Sequence, residues 1–224
     1  MTEAELDELL RDCPKLFHMA ERGSWPAIRR HGLLSTSALL DLCDVPQPER
    51  PAIEAARRPA GVVLDGPEGE RIVIRDNKPM NDASLARVLQ GGLRPEDWYR
   101  TLNARTFFWL SEKRLRRLLE AGSYRTARHD IITLDARALV DAYRECITLS
   151  PINSGATSRF PVARGPETFR SITDYPYAEW RKKRAKGERV VELAVTSGVP
   201  DIARFALALT RMGAGERDEP LEPV

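Results

Sequence analysis

The chain has 224 residues, 42% of them apolar, and a formal net charge of +2. That length fits one domain with a full core better than two, and the composition excludes a disordered or fibrous chain. No apolar run approaches the roughly 20 residues of a membrane-spanning helix, and the acidic opening MTEAELDELLRDC lacks a secretion signal's apolar stretch, so a cytoplasmic protein with no membrane partner is expected.

Leu6, Leu9 and Leu10 share one face at helical spacing, which predicts a helix over residues 3–11. Residues 16–19 form a short apolar run holding His18 and read as a first central strand. Ser24 stands where it can cap the next helix, with Pro26 in the first turn and Gly32 at the end. Ser37 opens a short helix through Leu40. The proline-rich stretch 46–59 holds a short helix at 52–58, residues 65–70 a turn, and residues 71–75 a strand. Helices are predicted over 82–89, with Asp82 as cap, and over 95–102. Residues 106–110, Thr-Phe-Phe-Trp-Leu, give the strongest strand signal, and a helix follows to Leu119. A strand lies within 130–135, Asp135 caps a helix over 136–143, and residues 147–149 form another short strand.

Residues 151–177 show no periodicity, and so long a loop in a compact domain is often functional. Residues 190–195 read as a buried strand interrupted by Glu192, and residues 201–207 as helix or strand. The acidic, proline-containing stretch 213–224 is expected to be a flexible tail on a single domain of residues 1–212. There is no internal repeat, dinucleotide glycine fingerprint or P-loop.

Cys13, Cys43 and Cys146 are odd in number and widely spaced, so neither a disulfide framework nor a zinc site is expected; each reads most simply as a small buried hydrophobe. His18, His31 and His129 also lack metal-ligand spacing. Of the 35 basic residues only six are lysine. Arginine's planar fork suits phosphates, although a GC-rich genome gives the same excess, so the placement of particular arginines has to carry the argument. Glu192 stands out because an unpaired buried carboxylate is costly; strand alternation can equally place it on a solvated face. His18 taken alone reads better as a satisfied structural histidine than as a functional one.

The segment LFHMAERGSWPAIRRHGLLST resembles the opening of the ADP-ribosyltransferase fold, where a histidine ends the first strand and a helix leads to a Gly-Leu turn. ERVVELAVTSGVPDI resembles the closing strand of DarT-type toxins, which ADP-ribosylate bases in DNA: the catalytic glutamate lies in an apolar strand before a Val-Pro-x-x-Ile step. Residues 105–110 resemble the aromatic strand that follows the family's NAD-binding arginine. The chain departs from that pattern in having no asparagine in the link after His18.

The resemblance implies an α+β fold with split, mostly antiparallel central sheets and peripheral helices. It implies an NAD-consuming transferase without a metal, with Glu192 and Arg75 as catalytic residues. His18, Met19, Ser24, Gly32, Leu33, Arg75, Phe107 and Phe108 would bind NAD. Arg87 is the alternative to Arg75, which is preferred because a predicted strand supports it. The aromatics Tyr175, Tyr177 and Trp180 beside Lys182 and Lys183 read as a base-stacking, phosphate-holding segment for single-stranded DNA, or as a solvated helix end with a few packed aromatics. An antitoxin or a hydrolase that reverses the modification is the expected protein partner. The alternatives are transfer to protein, RNA or a small molecule, and a non-catalytic nucleic-acid-binding module.

Overall fold

A computed structural model describes residues 1–157 and 161–221. The strands are β1 (Lys15–Ala20), β2 (Leu33–Leu34), β3 (Val62–Asp65), β4 (Arg71–Ile74), β5 (Arg105–Trp109), β6 (His129–Asp135), β7 (Ile147–Ser150), β8 (Arg170–Ser171), β9 (Glu192–Thr196), β10 (Gly198–Val199), β11 (Ala206–Met212) and β12 (Glu219–Pro220). The helices are α1 (Glu3–Asp12), α2 (Trp25–His31), α3 (Thr36–Leu42), α4 (Arg50–Glu54), α5 (Asp82–Val88), α6 (Pro95–Asn103), α7 (Glu112–Leu119), α8 (Ala136–Tyr143) and α9 (Tyr177–Lys183). The fold is α+β. Its main sheet has 8 strands in the order β12-β11-β6-β1-β5-β9-β7-β8, every neighbouring pair antiparallel. The expected split into two sheets is thus a single sheet with a narrow join, since β1 and β5 share only the pair Phe17↔Trp109.

Side-chain alternation gives the sheet two apolar faces. Leu16, Ile132, Leu134 and Phe108 join the larger core, with Leu6, Leu9 and Leu10 of α1 and Leu139 and Val140 of α8. Phe17 and Ile131 point the other way, onto Leu115 and Leu119 of α7. Met80, Leu85, Trp98 and Tyr99 make a third cluster around α5 and α6.

Local chemistry sets several boundaries. Asp135 caps α8 by accepting from the Ala138 amide. The cap of α3 is Ser35 rather than Ser37, and that of α5 is Asn81, while Asp82 instead accepts from the Tyr99 hydroxyl. Ser24 occupies the N-cap position of α2, but its side chain makes no cap bond. Residues 62–65, assigned no element from sequence, pair with β4 across the predicted turn as a hairpin. Residues 201–207 divide into a 3₁₀ turn and the start of β11, whose Ala-Leu-rich sequence is extended because it pairs with β6. Tertiary pairing overrides helix propensity there.

The stretch expected to be a flexible tail is described through residue 221; residues 222–224 lie outside the described residues. β12 pairs with β11, Arg128 binds Glu216 and Glu219, and Arg116 binds Asp218. These carboxylates of the acidic stretch thus have basic partners on the body of the protein. Among the described residues, no helix is long and apolar enough to cross a membrane.

Candidate active site

β1 pairs with β6 from Lys15 to Ala20 but leaves β5 after the single rung at Phe17. Where the two strands part, a cavity of about 330 Å³ opens. His18 and Met19 form one wall, and Phe107, Trp109 and Glu192 another. α2 and the Gly32–Leu33 turn close one side, and the β3–β4 hairpin and Arg75 lie across it. His31 pairs with Glu70, and Arg30 with Glu68 at 2.6 Å, so the hairpin leans on α2.

His18 is held where the ladder stops. Its Nδ1 is 2.9 Å from the Phe107 carbonyl. A carbonyl only accepts, so Nδ1 carries the proton and Nε2 presents a lone pair. Burial is the main influence on the ring and pushes its pKa down to about 4; the Phe107 bond opposes this, and Arg75 adds to it. Near neutral pH the site therefore holds an uncharged imidazole with one acceptor nitrogen.

Glu192 begins β9, opposite Trp109 on β5 and Ser150 on β7, and is only 4% exposed. The Ser154 amide and hydroxyl both donate to Oε2, at 3.1 and 2.6 Å. Oε1 has no hydrogen-bond partner among the described residues, and Glu192 lines the cavity. Burial drives its pKa up to about 7, with the Ser154 bonds and then Arg164 pulling down. A fixed carboxylate with one oxygen uncommitted is suited to stabilising a developing positive charge.

Arg75 follows β4 and reaches the cavity. Its Nη1 donates to the Met19 carbonyl at 2.9 Å, its guanidinium lies 5.3 Å from the centre of the Tyr124 ring, and Nε and Nη2 are buried without hydrogen-bond partners. Its Nε lies 4.0 Å from Glu21 Oε2, an ion pair without a hydrogen bond, so an anionic ligand would compete with that carboxylate for these donors. Arg87 lies exposed on α5, bonded to Ser84, and does not line the cavity. Phe107 lines the cavity; Phe108 is fully buried on the opposite face, so its expected NAD contact is replaced by a core role. Ser24, Gly32 and Leu33 also line the cavity. Gly32 has φ +92°, and a Cβ there would lie 2.4 Å from the Pro200 Cα, so the turn closing the cavity requires glycine.

The expected nucleic-acid segment is placed differently. Tyr175 and Tyr177 are each 1% exposed and belong to the main core, so neither offers its ring to a base. Trp180 packs against that core beneath the Arg184 guanidinium, 4.2 Å from its ring centre. α1 neutralises much of the basic run: Arg181 binds Glu8 at 2.7 Å and Lys186 binds Asp12 at 3.0 Å. Lys182 and Lys183 are exposed, and none of these five expected contacts lines the cavity. Apolar partners elsewhere in the chain, which local composition does not display, draw the two tyrosines inward.

Several cavity residues escaped the sequence reading. Ser154 and Asn153 come from the aperiodic loop, whose residues 158–160 lie outside the described residues; its length was the only signal. Arg58 is buried and donates to the Arg75 carbonyl at 3.2 Å and to Asn103 at 3.0 Å, steadying the chain that carries Arg75. Arg105, Tyr124 and His31 also line the cavity. Among the described residues, no group of three or more His, Cys, Asp or Glu side chains is placed to hold a metal.

Fold and cavity together define an α+β protein with a histidine and a glutamate lining one cavity from β1 and β9, the two strands that flank β5 in the main sheet. The chain belongs to a family of unknown function, DUF7002, whose pattern matches residues 14–206. No curated protein and no solved structure matches it.

Proposed function

We propose that this protein is an NAD-dependent ADP-ribosyltransferase with an ADP-ribosyltransferase-type fold. The observation that carries the reading is the meeting of His18 and Glu192, from two separately matched segments, in one cavity. NAD supplies an ADP-ribosyl group on a glycosidic bond whose cleavage builds positive charge on the ribose. The cavity volume is near the lower end of the roughly 300–1,000 Å³ of small-molecule sites and suits a nicotinamide-riboside end. The residues present fit such a group. The His18 Nε2 accepts from a ribose hydroxyl or an amide, Phe107 offers a flat wall, and the Arg75 donors left without hydrogen bonds suit a diphosphate. Glu192 stabilises the developing cation through the oxygen that Ser154 leaves uncommitted.

The acceptor proposed first is a base in single-stranded DNA, on the strength of the resemblance. Burial of Tyr175 and Tyr177 favours a second reading, in which the same chemistry serves a protein, RNA or small-molecule acceptor. Incubation with NAD labelled in the adenylate, alongside DNA and RNA oligonucleotides and cell protein, separates the two by mass spectrometry. Label on DNA supports the first reading, and label elsewhere supports the second. No nicotinamide release and no labelled product in any arm defeats both.

A further inference from the structure

The mechanism leaves one buried charge unused. Arg164 is 1% exposed and makes no ion pair among the described residues. Its guanidinium is spent on carbonyls: Nη1 donates to Ser154 at 2.7 Å, Nη2 to Ala156 at 3.0 Å, and Nε to Val162 at 3.0 Å. Its backbone is fixed too, since its amide donates to Val88 at 3.0 Å and its carbonyl accepts from Gln90 at 2.8 Å. Trp98 Nε1 adds a second bond to the Ser154 carbonyl at 3.3 Å. Arg164 and Glu192 therefore grip opposite ends of one residue: the arginine takes the Ser154 carbonyl, and the glutamate takes its amide and hydroxyl.

Burying a guanidinium without a counter-ion is costly, and carbonyl dipoles offset that cost only in part. Arg164 is among the groups favouring the charged form of Glu192, and Glu192 in turn favours the charged form of Arg164. The other cation acting on Glu192 is Arg114, whose own partner is Glu188. We infer that Arg164 is a positioning residue for Glu192: it fixes the Ser154 turn that holds one carboxylate oxygen and leaves the other to the cavity, and it supplies a buried positive charge on the far side of that turn. A lysine cannot replace it, because only the fork reaches the carbonyls of Ser154, Ala156 and Val162 together. The inference rests on Glu192 as the reacting carboxylate only for its bearing on catalysis; the coupling itself is measurable without NAD.

The test is a pH titration followed by NMR, with ¹³C-labelled glutamate carboxyls and ¹⁵N-labelled arginine side chains, in the full chain without NAD. In the wild type, the Arg164 guanidinium signals should shift at the same midpoint as the Glu192 carboxyl. That inflection should vanish in Glu192→Gln. In Arg164→Gln and Ser154→Ala, the Glu192 midpoint should rise by about one pH unit or more, the size expected for loss of a nearby opposite charge or a charged hydrogen bond. If Arg164→Gln does not fold, the wild-type titration decides. Arg164 signals that stay flat through the Glu192 midpoint, or a folded Arg164→Gln protein with an unmoved midpoint, overturn the proposal. Failure of the transferase reading would instead appear as lack of NAD turnover with this coupling intact.

Discussion

Replacing Glu192 by glutamine separates what the carboxylate costs the fold from what it contributes to chemistry. Burial raises its pKa from 4.5 to about 7. At about 1.4 kcal/mol per pH unit, ionisation in the folded state costs about 3 kcal/mol relative to the unfolded chain. The sign follows from linkage. A carboxyl with a raised folded pKa contributes stability that is fully present below its unfolded value and lost as pH rises through about 7. Glutamine does not titrate, and its amide oxygen can keep both Ser154 bonds. The variant's advantage over wild type should therefore be under about 1 kcal/mol near pH 5 and grow by about 2–3 kcal/mol toward pH 8.5. Urea denaturation of both proteins across that range measures it, and changes in other groups cancel in the difference. Transfer from NAD should meanwhile fall by about 10²–10³ in kcat with NAD binding altered only a few-fold, as for loss of one preorganised electrostatic partner. Parallel stability curves across pH would refute the buried-charge argument, and full activity in a folded variant would refute the catalytic one. Glu188 is unsuitable as a control because it pairs with Arg114, whereas the exposed Glu145 suits that purpose.

Gly32→Ala should lower stability by about 1–3 kcal/mol or more, from the positive φ and the close Pro200 backbone; an unchanged melting temperature would show that the turn relaxes freely. Phe108→Ala should cost about 3–5 kcal/mol as a core truncation, while Phe107→Ala should spare stability and raise the KM for NAD; equal destabilisation of both would remove the case for Phe107 as a cavity wall. Calorimetry should find NAD binding weakened at least tenfold by Arg75→Ala and unchanged by Arg87→Ala, and the reverse ranking would reassign the diphosphate contact. On the proposed mechanism ionised Glu192 is the active form and burial holds His18 neutral, so kcat/KM should rise with pH through about 7 without a histidine limb near 6.5. A profile that falls over that interval would count against both assignments.

Much of the fold was legible because its strongest signals are local. The Thr-Phe-Phe-Trp strand, the Asp135 cap and the leucine stripe of α1 each state their conformation within one short window. β11 and β12 were not legible, since they are extended only because β6 and then β11 offer them partners. In the site, His18 and Glu192 betrayed themselves as polar residues inside apolar runs, and both line the cavity. Ser154 and Arg164 carried no such mark. Their roles come from folding the loop back on itself, and a buried arginine reads in sequence like any surface one. The tyrosines before Glu192 failed for the converse reason: local charge suggested a wet surface, while the carboxylates that answer it lie at the far end of the chain in α1.

The order along the chain of the strands that meet at the narrow join also sets an order of events during synthesis. β1 leaves the ribosome before its partner β6, and both precede β9, so the histidine wall can form before the strand that carries Glu192 is made. The strand carrying Glu192 emerges after β1, β5 and β6, and no earlier described segment brings a carboxylate to its place opposite Trp109. A nascent chain that has passed β6 but not β9 would therefore expose the histidine side of the cleft without Glu192, and the assembled site would appear only once β9 is made.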